Sequence, residues 1–108
     1  MPPTDRSATD DPLTAISVSC QRTPAGHRCK VLVGDDPRST THEVTVADAV
    51  LERLSPRAAH PDAAERLVRA SFVFLLEREP REAILRSFDL PVIERYFPGF
   101  EGAIARYL

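Results

Sequence analysis

The chain has 108 residues, a hydrophobic fraction of 43% and a formal net charge of -2. That size suits one domain with a real core, and that charge creates no overall field to draw in nucleic acid or an anionic membrane. Neither half hides a basic patch: residues 1–46 carry five Lys+Arg against six Asp+Glu, and residues 47–108 carry nine against ten.

The opening MPPTDRSATDDP lacks apolar periodicity and reads as a disordered tail over residues 1–12, leaving a single domain over residues 13–108. LTAISVSC (13–20) alternates, with Ile16, Val18 and Cys20 on one side. RCKVLV (28–33) puts Cys29, Val31 and Val33 on one side, and STTHEVTV (39–46) does the same with His42, Val44 and Val46. Period-two alternation marks half-buried strands. TPAG (23–26) and GDDPRS (34–39) supply the turns. If Arg22 faces His27 across the first turn, then Cys20 faces Cys29, Val18 faces Val31 and Ile16 faces Val33. A slip of one residue would send one apolar set to solvent. The spacing predicts a three-stranded antiparallel meander over residues 13–46.

Helices follow over residues 48–108. DAVLERL (48–54) starts from Asp48 as N-cap and ends before Pro56. Pro61 and Asp62 open the main helix, expected to run to about Arg78. Its residues from Ala70 to Leu76 are apolar nearly all round, so it should be buried on more than one side. Asp89 is expected to cap LPVIERYF (90–97), and Phe100, Ile104 and Leu108 recur at helical spacing. The fold class is therefore α+β, a meander packed by one long central helix and several short C-terminal ones.

The segment LVRASFVFLLEREPREAILRSFDLPVIERYFPGF resembles short uncharacterised bacterial proteins that share this strand-then-helix plan, over most of residues 40–100. The resemblance implies a folded domain and transfers no activity and no site residue.

The chemistry-bearing residues are sparse. Cys20, His27 and Cys29 with His42 have the softness for zinc but lack the closely spaced ligand pairs of structural sites. The two cysteines read as small buried thiols, with a cross-strand disulfide or a metal as the alternatives. No glycine-rich phosphate loop, nucleophile elbow or HExxH is present. No cofactor, metal or catalytic residue is therefore expected. Glu77 and Glu79 read as solvated helix-end charges.

Residues 81–97 have the outline of a helix-turn-helix, but the second helix would expose Glu94 and Arg95, one of each sign, which is poor chemistry for reading bases. The N-terminus lacks a charged-then-apolar signal pattern, and the longest apolar run, Phe72 to Leu76, is far below the ~20 residues of a membrane span. The sequence points to the cytoplasm. Its best functional reading is a small interaction or regulatory module, binding a protein partner or a second copy of itself. Tyr96, Phe97, Phe100 and Tyr107 are the expected docking surface, and weak nucleic-acid binding through residues 81–97 is the alternative.

Overall fold

The computed structural model describes residues 16–34 and 37–108. The expected tail at residues 1–12 lies outside them, as do the first three residues of the expected first strand.

Strand β1 (Ile16–Thr23) and strand β2 (Gly26–Val33) form an antiparallel hairpin, and β3 (Thr40–Ala47) pairs antiparallel with β2. The register is the expected one: Ile16 faces Val33, Val18 faces Val31, Cys20 faces Cys29 and Arg22 faces His27. Both strands of the hairpin extend further toward the turn than the alternation alone indicated. Thr23 Oγ1 accepts the Gly26 N–H at 3.1 Å across Pro24–Ala25. Glycine is required at position 26 by its neighbours: a Cβ there would lie 2.1 Å from the Val46 carbonyl oxygen and 2.8 Å from Ala47 Cα. Close backbone approach of this kind is what an isolated glycine in a strand marks.

The apolar faces of the three strands are buried, with Cys29, Val31 and Val44 fully so. Two expectations need correction here. Cys20 and Cys29, read as free thiols, are joined by a disulfide across the hairpin. The shared register already placed them face to face, and what the sequence lacked was any sign of the redox state. The meander also gains a fourth strand, β4 (Ser87–Asp89), which runs parallel to β3 with Val44 opposite Phe88. The sheet is therefore mixed, in the order β1-β2-β3-β4.

Helix α1 (Asp48–Leu54) and helix α2 (Ala63–Leu76) make the crossover that a parallel pairing requires. Asp48 is the first helical residue and not the cap. Its carboxylate accepts two hydrogen bonds from the Arg22 guanidinium, at 2.6 and 2.9 Å, which hold it below the usual carboxylate range. Helix α2 is shorter at both ends than expected. It is buried on several sides: Phe72 packs toward the sheet, 5.3 Å from the His42 ring, while Phe74 points at the C-terminal helices.

Residues 81–97 do not form a helix-turn-helix. Arg81–Ala83 is a single 3-10 turn, Ser87–Asp89 is strand β4, and only Val92–Tyr96 (α3) is helical. The open edge of β3 outcompetes a second helix. Glu43 N–H donates to the Arg86 carbonyl at 2.8 Å, Leu90 N–H to the Thr45 carbonyl at 3.0 Å, and the Thr45 hydroxyl to the Asp89 carboxylate. Helix α4 (Phe100–Ala103) and a last 3-10 turn (Ile104–Tyr107) close the core over Phe74. Among the described residues, no helix is long and apolar enough to cross a membrane.

Candidate functional site

Pro80 ends the helical path of α2, because it cannot donate an N–H and its ring clashes with the preceding turn. The chain then passes through an extended Ile84, pairs briefly as β4, and turns back at Pro91 into α3. A cleft of about 310 Å³ opens between these pieces. Leu75 contributes from the end of α2 and Glu79 from the turn after it, with Ile84 and Leu85 from the segment leading into β4 and Phe88 from β4 itself. Val92, Ile93, Tyr96 and Phe97 complete it from the α3 side.

Its floor is core: Leu75, Ile84 and Ile93 are each 3% exposed. Its rim is open, with Leu85 at 45% and Tyr96 at 65%, the highest exposure of a large hydrophobic among the described residues.

The wall carrying Leu85 is tied to the sheet by His42. The imidazole Nδ1–H donates to the Leu85 carbonyl at 2.8 Å, and the buried Thr40 hydroxyl donates to Nε2 at 2.8 Å. A carbonyl can only accept, so the neutral Nδ1–H tautomer follows. Burial, aided by the nearby Arg86 charge, pushes His42 below its ordinary value, while the bond to Leu85 works in the opposite sense.

The other wall is set by Glu94. Its carboxylate accepts the Gly99 and Glu101 N–H groups, each at 2.8 Å. These bonds hold it below the usual carboxylate range and fix the entry to α4, where Gly99 adopts φ 101°.

Glu79 is different. Partial burial beside apolar groups pushes its carboxyl above the ordinary range, and among the described residues that carboxylate has no hydrogen bond or ion pair. Neighbouring cations are engaged elsewhere. Arg78 stacks on the Phe74 ring, 3.6 Å from its centroid, and donates to the Phe74 carbonyl at 2.9 Å. Arg81 lies beside Gly34 and 3.6 Å from the Glu82 carboxylate.

The four aromatics expected on one docking surface are divided. Tyr96 and Phe97 line the cleft. Phe100 is fully buried, edge-on to Phe74 at 5.0 Å, and belongs to the core. Tyr107 packs edge-on to Phe74 at 5.8 Å and donates its hydroxyl to Glu77, on a different groove beside Arg57, Arg66 and Arg69. Sequence reasoning missed Leu85, Val92 and Glu79 as cleft residues. Only the unusual exposure of Leu85 next to buried Ile84 distinguishes that pair, and exposure is not legible without β4.

Among the described residues, no group of three or more His, Cys, Asp or Glu could hold a metal. The paired cysteines have no thiolate to offer one. Comparison with family models, curated proteins and solved structures finds no match.

Proposed function

We propose that the protein is a docking module without chemistry of its own, seating a bulky apolar side chain of a protein partner in the cleft between α2, β4 and α3. The observation that carries this reading is the pairing of a closed apolar floor with an exposed apolar rim at Leu85 and Tyr96. Exposed apolar patches mark interaction sites, and tyrosine is enriched in interface cores. The cleft volume lies at the lower end of the ~300–1,000 Å³ of small-ligand sites, enough for one or two side chains. Preformation favours binding, since a wall already held by His42 and Glu94 has less freedom to lose.

The cytoplasm remains the proposed address, which carries a corollary: there the Cys20–Cys29 pair would stand as a dithiol for most of its life. Photo-crosslinking in the native host tests the docking reading. A benzophenone side chain at position 96 should give a discrete adduct that Leu85→Asp removes, while one at position 30, on the outer sheet face, should not. No adduct at position 96, or the same adduct from both positions, refutes it.

A further inference from the structure

We infer that the cleft selects a partner segment in which a bulky apolar side chain stands close to a Lys or Arg, the apolar group entering beside Val92 and Tyr96 and the cation pairing with Glu79. This rests on the docking reading above and names the chemistry of the partner.

The acids around the cleft are engaged with one exception. Glu77 accepts from Tyr107 and Arg78, Glu82 lies beside Arg81, Glu94 caps α4, and Glu101 accepts from Arg53 at 2.9 Å. The Glu79 carboxylate alone of these five has no partner among the described residues. It also sits on the cleft, where its charge is partly removed from water without compensation. A carboxylate in such a place is raised by desolvation, and an arriving cation relieves that cost.

The local cations do not supply the relief. Arg78 is held on the Phe74 face by its stacking and its bond to the helix carbonyl, and Arg81 by Glu82 and the Gly34 turn. The remaining lining offers no second charge, so the cleft has one polar preference, for positive charge. Tyr96 adds an exposed ring beside it. An aromatic face suits a guanidinium, and the aliphatic stem of Lys or Arg covers apolar surface while its head stays at the rim. An acidic segment would meet Glu79 with like charge, and a purely apolar one would strand its carboxylate further from water.

The test is panning of a phage-displayed random dodecapeptide library on the whole chain, in parallel with Glu79→Gln, Val92→Asp and Tyr96→Ala. Tyr96 is exposed, so its truncation leaves the core intact if Val92→Asp fails to fold. Wild type should enrich sequences with Leu, Phe or Met next to Arg or Lys. Glu79→Gln should keep the apolar preference and lose the basic one, and Tyr96→Ala should lose both.

A synthetic peptide of the enriched consensus, followed by fluorescence anisotropy, should bind Glu79→Gln roughly five-fold more weakly than wild type, as expected for a partly exposed ion pair. Its citrulline analogue should bind the two proteins equally. Apolar enrichment without a basic residue, with affinity unchanged by Glu79→Gln, overturns the inference and leaves the docking site standing. No enrichment, or enrichment indifferent to Tyr96→Ala, overturns both. A dimer in sedimentation that Tyr96→Ala dissociates also overturns the inference, because the occupant is then a second copy.

Discussion

Replacing His42 with Leu removes both hydrogen bonds of the imidazole at nearly constant volume, and it should cost about 2–4 kcal/mol of stability. The figure comes from two separate losses. The bond to Leu85 contributes about 1 kcal/mol net, and the Thr40 hydroxyl, left buried without a partner, costs about 1–3 kcal/mol. Thr40 is 4% exposed and cannot turn its hydroxyl to water, whereas Leu85 is 45% exposed and its carbonyl can be rehydrated. The Thr40 side of the clasp therefore dominates. Urea unfolding followed by circular dichroism reads the change as a shifted midpoint with constant slope. If the accounting is right, Thr40→Val added to His42→Leu recovers part of the loss, since removing both partners of a bond is far cheaper than removing one. A cost below about 0.5 kcal/mol, or no recovery in the double variant, would refute this account.

The same residue predicts a pH dependence. His42 is held below its ordinary value of 6.5, so the folded state favours the neutral ring. Its contribution is complete above the unfolded value and falls away as pH drops through the lower folded one. The stability gap between wild type and His42→Leu should therefore narrow on acidification below about pH 6, and a constant gap would contradict the buried neutral ring. Reducing the Cys20–Cys29 bond, which closes a nine-residue separation, should lower stability by about 2–3 kcal/mol in thermal melts with and without reductant. Peptide binding at the cleft should be unaffected. Gly26→Ala should cost about 1–3 kcal/mol by chemical denaturation, because its Cβ would press on the Val46 carbonyl. Glu94→Gln should speed hydrogen exchange at the Gly99 and Glu101 amides without changing exchange in the sheet; unchanged rates at those two amides would remove its capping role.

The register of the first hairpin was legible to the residue pair and the third strand by its alternation, because a period of two combined with one buried face leaves only one register. Helix α1 was legible for similar reasons, its apolar residues at 50, 51 and 54 lying between Asp48 and Pro56. Strand β4 was not. RSFDL is too short to show alternation, and Phe88 and Leu90 fit a helical stripe as well as a strand. What decides its conformation is the free edge of β3, a partner more than forty positions away in sequence. The cleft inherits that difficulty. Tyr96 and Phe97, which line the cleft, were singled out because aromatics crowd residues 96–107, and Phe100 was grouped with them for the same reason although it closes the core. Glu79 was read as a solvated helix-end charge, since its significance depends on the burial around it and on where Arg78 and Arg81 turn.

The consequence is that the cleft exists because residues 87–89 became a strand. A pair of helices over residues 81–97 would have packed side by side and filled the space now open above Ile84 and Ile93. Three residues of parallel pairing are a weak hold by themselves, since a parallel ladder is slightly less stable per residue than an antiparallel one. The hold is strengthened at both ends by side chains. His42 grips the Leu85 carbonyl before β4, and Thr45 grips Asp89 after it, with Leu90 anchored at 0% exposure just beyond. The donors of both clasps lie on β3, three residues apart, on opposite faces of the sheet: His42 reaches inward and Thr45 outward. Loss of either should let β4 fray and the cleft wall move, which would couple the proposed docking to groups that do not line the cleft. That coupling separates the cleft from the grooves elsewhere on the surface. Its shape is held by specific polar contacts, and those contacts can be removed one at a time.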